Sequence, residues 1–190
     1  PVPLGPTATP DLGRGAALFA QNCASCHGIT GNGQGPAAKG MDPPPIDFTD
    51  RARARERSLF GLYQVIEQGL EGTAMPSFAN LSAEDRWALA FRVGSLSASQ
   101  EEIDRGQQIW STDPAVRKQL ADLTAVVGAT PAQIEQMLGA QKGHAVIAYL
   151  RAQPEALMGS PTGSLTLAKE RLAQALAAYS AGDRAQAKDL

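Results

Sequence analysis

A chain of 190 residues with 43% apolar content and a formal charge of −2 can bury one good core or two small ones. Acidic and basic side chains are spread evenly along it, so the charge asks for no nucleic-acid partner. Apolar runs such as residues 145–150 are far shorter than the roughly 20 residues of a membrane span, so these residues read as non-spanning.

The opening PVPLGPTATP, residues 1–10, reads as an extended tether. It has no initiator Met and no basic-then-apolar leader, so an export signal is expected to have been removed. Asp11 then offers an N-cap to a short helix with Leu12, Ala16, Leu18 and Phe19 at apolar positions, running into Cys23-Ala24-Ser25-Cys26-His27. Residues 28–47 are rich in Gly and Pro and predict a long wrapped loop, which a compact domain tolerates when a ligand organises it. Leu59, Leu62, Tyr63 and Ile66 predict a helix ending at Gly69. GTAMPSF, residues 72–78, is a loop, and Ser82 caps a helix that carries Trp87 and Phe91 one turn apart.

Cys-x-x-Cys-His is the attachment signal for a c-type haem: the thiols add across two vinyl groups and the His is set to bind iron. A structural zinc would need Cys23, Cys26, His27 and His144 together, with His27 poorly placed beside Cys26. A redox dithiol wants a βαβ frame that the pattern lacks, and a plain disulfide leaves the glycine-rich loop unexplained. One covalent haem c is therefore expected, and both thiols are consumed by it. A second axial ligand should lie far along the chain. Of the four methionines, Met41 is on the same loop as His27, while Met137 and Met158 read as core filler in helices. Met75 sits in Gly72-Thr73-Ala74-Met75-Pro76, where small residues let backbone approach a ring and Pro76 fixes the exit, and it is the expected ligand. His144 is the alternative, but at a helix start it reads as an ordinary surface residue.

Residues 11–97 resemble the class I c-type cytochromes through CASCH, then GNGQGP, GTAMPSF and RWALAF. The resemblance implies His27 and Met75 as axial metal ligands and the Pro36 carbonyl as acceptor of the His27 Nδ1 proton. It implies that the helix of Gly15 and Phe19 crosses the helix of Trp87 and Phe91. By the same analogy Tyr63, Phe78 and Trp87 line or cap the haem pocket; ordinary core aromatics are the equal alternative. With both axial positions filled there is no open site for a substrate, so an electron carrier and not an enzyme is expected, with a positive potential. Haem attachment after export, as in that family, implies the periplasm.

RARARER, residues 51–57, reads as a solvated charged face, with haem propionates or an acidic partner as the functional alternative. The acids of DPPPIDFTD, residues 42–50, read as solvated loop carboxylates rather than an iron-handling site.

The second half echoes the first. Arg14-Gly15-x-x-Leu18-Phe19 falls on Arg105-Gly106-x-x-Ile109-Trp110, and Ala90-Phe91 on Ala148-Tyr149, while Cys23, Cys26 and His27 fall on Pro114, Arg117 and Lys118. The expected architecture is all-α: a class I cytochrome c fold over 11–97 and a helical extension over 98–158, read as a degenerate, haem-free repeat or as an unrelated appendage. Thr130-Pro131 should open one of its helices. Residues 159–190 read as a linker and the start of a truncated helical hairpin. LAKERLAQALAAYSAGDRAQAKDL, residues 167–190, resembles the region joining cytochrome c to the permease in bacterial fusions with an iron permease of the yeast high-affinity type. The resemblance implies a transmembrane permease as partner in the same polypeptide, a chain continuing past Leu190, and a haem that takes electrons from ferrous iron or a redox partner protein. The alternatives are a respiratory carrier or cytochrome subunit of a dehydrogenase or oxidase, and a haem sensor or peroxidase from which Met75 dissociates.

Overall fold

Every regular element of the computed structural model, which describes residues 4–121 and 123–158, is a helix. The expected linker and hairpin at 159–190 lie outside the described residues. No helix among the described residues is long and apolar enough to cross a membrane.

Short polar caps start the helices where the sequence places them. Asp11 accepts from the Arg14 N–H and opens α1, Leu12–Asn22; α2 is the single turn Ala24–His27. Asp50 caps α3, Arg51–Ala54, a turn that the arginine run conceals in the sequence. Ser58 caps α4, Leu59–Gln68, which ends at Gly69, and Ser82 caps α5, Ala83–Ser95. Ser99 and Thr130 form capping boxes at α6, Gln100–Thr112, and α9, Pro131–Leu138. Such caps contribute about 1 kcal/mol each. Between and after them lie α7, Pro114–Gln119, α8, Leu123–Gly128, α10, Ala140–Ala152, and α11, Glu155–Met158.

Two apolar clusters result. Leu18, Phe19, Leu59, Tyr63, Ile66, Trp87 and Phe91 build the first from α1, α4 and α5. The second gathers Val116, Leu120, Ile134, Val146, Ile147 and Leu150. Helix α8 straddles them, with Val127 in the first and Val126 in the second, and residues as far as Leu157 form one compact unit. Helix α5 packs against α1, α4 and α10, which is why Trp87, Leu89, Ala90, Phe91 and Val93 are buried on several of its sides at once.

The helix crossings expected on both sides are present. A Cβ on Gly15 would strike the Ala88 carbonyl and come to 3.2 Å from the Arg92 Cβ, and one on Gly106 would strike the Ala145 carbonyl and come to 2.6 Å from the Tyr149 Cβ. In both halves a glycine of the first helix sits against residues i and i+4 of the second, so only a residue without a side chain permits the approach. The geometric match pairs Arg92 with Tyr149, one residue off the alignment of Phe91 with Tyr149. That step turns a helix by about 100°, and it is visible only from the packing.

All four arginines of the run are exposed, as expected of a solvated charged face, but two of them also pair with acids of later helices. On a short helix Arg51 and Arg55 are one turn apart, and they pair with Glu102 and, at 2.6 Å, Glu135. His144 sits half-buried between the same two acids, 3.1 Å from Glu102 and 3.3 Å from Glu135. The Arg55 carbonyl also accepts from the Ala132 N–H at 2.9 Å. These contacts join the arginine run to α6 and α9, and His144 ties α10 to the same two acids. Among the expected core fillers, Met137 is instead 48% exposed, because α9 turns Ile134 inward.

Candidate functional site

The loop after α2 is stitched to the backbone of the CASCH turn. Gly33 donates to the His27 carbonyl at 2.7 Å, Gly35 to Cys26 at 3.0 Å and Ala37 to Ser25 at 2.8 Å. Phe48 then returns to the Gly31 carbonyl at 2.8 Å. The wrap carries Ile46 and Phe48 onto the imidazole of His27: the ring nitrogen Nδ1 donates to the Ile46 carbonyl at 3.0 Å, and Phe48 stacks on the ring at 4.5 Å between centroids. Burial lowers the His27 pKa, against the opposing pull of that carbonyl, so the neutral ring with Nδ1 protonated leaves Nε2 with a free lone pair. Pro36 is not the acceptor. It is exposed, held away on the stretch whose neighbours Gly35 and Ala37 pair with α2 backbone, and the carbonyl that reaches Nδ1 is ten residues later.

Cys23 and Cys26 are free thiols, both half-buried. Burial, with a smaller contribution from Cys26, pushes the Cys23 thiol up to about 11, so it is protonated at neutral pH.

Facing these groups across a cavity of about 700 Å³ is the loop of Met75. Leu70 donates to the Met75 carbonyl at 3.2 Å, the Met75 N–H donates to the Thr73 hydroxyl at 3.1 Å, and Phe78 donates to the Ile66 carbonyl at 3.0 Å. Cys23, Cys26, His27 and Met75 line the same cavity, with Met41 also on its wall and Phe19, Leu62, Ile66 and Phe78 supplying apolar surface. Tyr63 and Trp87 are not on that wall; they stack on each other at 4.4 Å in the core beneath. His144 is outside it as well, in the charged seam.

Sequence reasoning missed Arg86, which fixes the exit of the Met75 loop. Its guanidinium donates to the carbonyls of Ala79 at 3.1 Å and Leu81 at 2.6 Å and to the Tyr63 hydroxyl at 3.0 Å, and pairs with Glu67 at 2.8 Å. It also lies 5.2 Å from the Tyr63 ring centre. On paper Arg86 is one polar residue near a helix start, and only tertiary contact shows its work. The acids of residues 42–50 are partly used locally: Asp47 accepts from the Thr49 hydroxyl and N–H, which hold its carboxyl below the usual range, and Asp50 caps α3. No cluster of metal-binding side chains is found among the described residues.

Residues 10–90 match the family model described as cytochrome c oxidase, cbb3-type, subunit III. Among solved structures, a chain of the reducing HAO-like protein complex of Kuenenia stuttgartiensis is 14% identical, with a TM-score of 0.39, covering 78% of this chain and 98% of that one. No curated protein matches. The cavity falls within the roughly 300–1,000 Å³ of ordinary ligand pockets. Its wall combines two thiols, a neutral imidazole and two thioethers, of Met41 and Met75, with apolar surface, a donor set that fits haem c. The cavity wall also carries Arg53 and Arg57, the alternate arginines of the run, together with Thr130, the N-cap of α9, and Arg151 of α10.

Proposed function

We propose that Cys23 and Cys26 bind one haem c through thioether bonds, that His27 and Met75 are its axial ligands, and that the protein is a one-electron carrier. The observation that carries this is the convergence of Cys23, Cys26, His27 and Met75 on one cavity. Bound haem supplies an iron that cycles between ferrous and ferric states. The chain does the rest: the Ile46 carbonyl and Phe48 fix the imidazole, Arg86 and Thr73 hold the methionine loop, and the apolar wall keeps water out, which favours the ferrous form. With both axial positions taken by protein, no substrate reaches the iron, and the role is transfer rather than catalysis.

The finer reading is periplasmic electron acceptance during ferrous iron oxidation for a fused iron permease. It rests on the resemblance of residues 167–190 to the joining region of such fusions. A haem tethered at a pore mouth acts at millimolar effective concentration, where a free carrier depends on diffusion. The match of residues 10–90 to subunit III of the cbb3-type oxidase family favours a second reading, a cytochrome subunit of a respiratory complex.

The purified protein should contain one covalently bound, low-spin haem. Met75→Ala should abolish the long-wavelength sulfur-to-iron charge-transfer band and lower the potential, and Met41→Ala should do neither. An unchanged spectrum in Met75→Ala refutes the ligand assignment. Rapid reduction of the ferric protein by ferrous iron supports the iron reading, and reduction only by respiratory donors supports the second.

A further inference from the structure

We infer that Arg151 of α10 pairs with a propionate carboxylate of the haem, so that the helical extension supplies part of the redox site; this rests on the haem reading above. Arg151 is 3% exposed. Its Nη1 reaches the Gly94 carbonyl at 3.4 Å and its Nη2 the Arg57 carbonyl at 2.7 Å, while Nε is buried with no partner. No described carboxylate pairs with it. A buried guanidinium without a counter-ion is costly, and such groups persist where an anion completes them. Burial pulls it down to about 10, so it stays charged at neutral pH.

The anion has to come from the occupant of the cavity. Arg53, Arg57 and Arg151 all line the wall, against two carboxylates, Asp47 and Glu56. Asp47 is engaged by Thr49, and Glu56 lies 3.7 Å from Arg55. A haem brings two carboxylates of its own to an otherwise apolar ring, and Arg is suited to holding them. The backbone prepares the place. Gly94, whose carbonyl accepts from Nη1, is held close by packing, since a Cβ there would come to 2.7 Å from the Leu59 Cδ2, and the carbonyl of Arg57 holds the guanidinium at the cavity wall that both arginines line. Arg151 thus does for the cofactor what Arg51 and Arg55 do for Glu102 and Glu135.

The test uses the holoprotein and its Arg151→Gln and Arg151→Lys variants, with covalent haem counted by the pyridine haemochrome. Loss of the cation should shift the ferric-to-ferrous ratio at a fixed potential about tenfold toward ferric in Arg151→Gln, which is about 59 mV for one electron. It should also make the potential vary between pH 5 and 8, as an unpaired buried propionate takes up a proton. The other charged or titratable groups facing this space, His27, Asp47, Arg53, Glu56 and Arg57, are unchanged in both variants. Arg151→Lys should keep the native potential and its flat pH profile. A haem-loaded Arg151→Gln protein with native potential and profile overturns the inference. Should that variant fail to accumulate, redox-difference infrared spectra of the native protein with ¹³C-labelled propionates decide it: carboxylates ionised down to pH 5 support the pairing, and a protonated carboxyl titrating above pH 5 overturns it. Native protein without covalent haem overturns the haem reading itself, and this inference with it.

Discussion

Replacing Arg86 by Met removes a side chain of α5 that ties the end of the Met75 loop to α4 and α5. Four polar groups lose their donor at once: the carbonyls of Ala79 and Leu81, the Tyr63 hydroxyl and the Glu67 carboxylate. Breaking a buried ion pair from one side costs about 3–5 kcal/mol. Glu67 keeps access to water, its side chain being 23% exposed, and the methionine stem retains the packing over Tyr63, so the low end of about 3 kcal/mol applies. For a unit of this size each kcal/mol moves the melting point by roughly 2–4 °C, which gives a fall of about 6–12 °C. Urea titration followed by far-ultraviolet circular dichroism measures the free energy, and the sulfur-to-iron band measures the Met75 loop separately. Arg86→Lys should recover part of the loss, since an ammonium reaches Glu67 or the carbonyls but lacks the planar fork. A cost below about 0.5 kcal/mol for Arg86→Met, the ordinary range for surface substitutions, refutes the role given to this residue.

Gly106→Ala forces a Cβ onto the Ala145 carbonyl and should destabilise the protein by about 1–3 kcal/mol in the same urea assay; a neutral result would mean that α6 and α10 do not cross as described. Glu102 gives a pH signature. Burial pushes its carboxyl up, but the Ser99 N–H and hydroxyl, Arg51 and His144 outweigh that and bring it down to about 2 from 4.5. A pKa lowered in the folded state means stability present above pH 4.5 and lost as the pH falls through 2. After allowance for screening this is about 1–2 kcal/mol, seen as a drop in the urea midpoint between pH 5 and pH 2.5 that Glu102→Gln should reduce.

Local chemistry made much of this protein legible before folding. The caps at Asp11, Ser82 and Thr130, the stop at Gly69 and the wrapped loop after His27 depend on residues within one turn or one hydrogen bond of each other, and a sequence carries such short-range terms directly. The cysteines and histidine of the CASCH turn stand out in the sequence for the same reason, and the structure sets all three on one cavity. The tertiary structure decided whatever depends on two distant segments meeting. Ile46 rather than Pro36 holds His27 because the loop folds back over the ring. The arginine run divides by helical phase, Arg51 and Arg55 turning to Glu102 and Glu135 while Arg53 and Arg57 reach the cavity. Arg86 and Arg151 look like any helix-borne cation in the sequence, and their roles exist only because carbonyls from residues 79, 81, 57 and 94 converge on them. A guanidinium's partners are chosen by which backbone is left without a donor once the helices have packed, and no window of sequence contains that information.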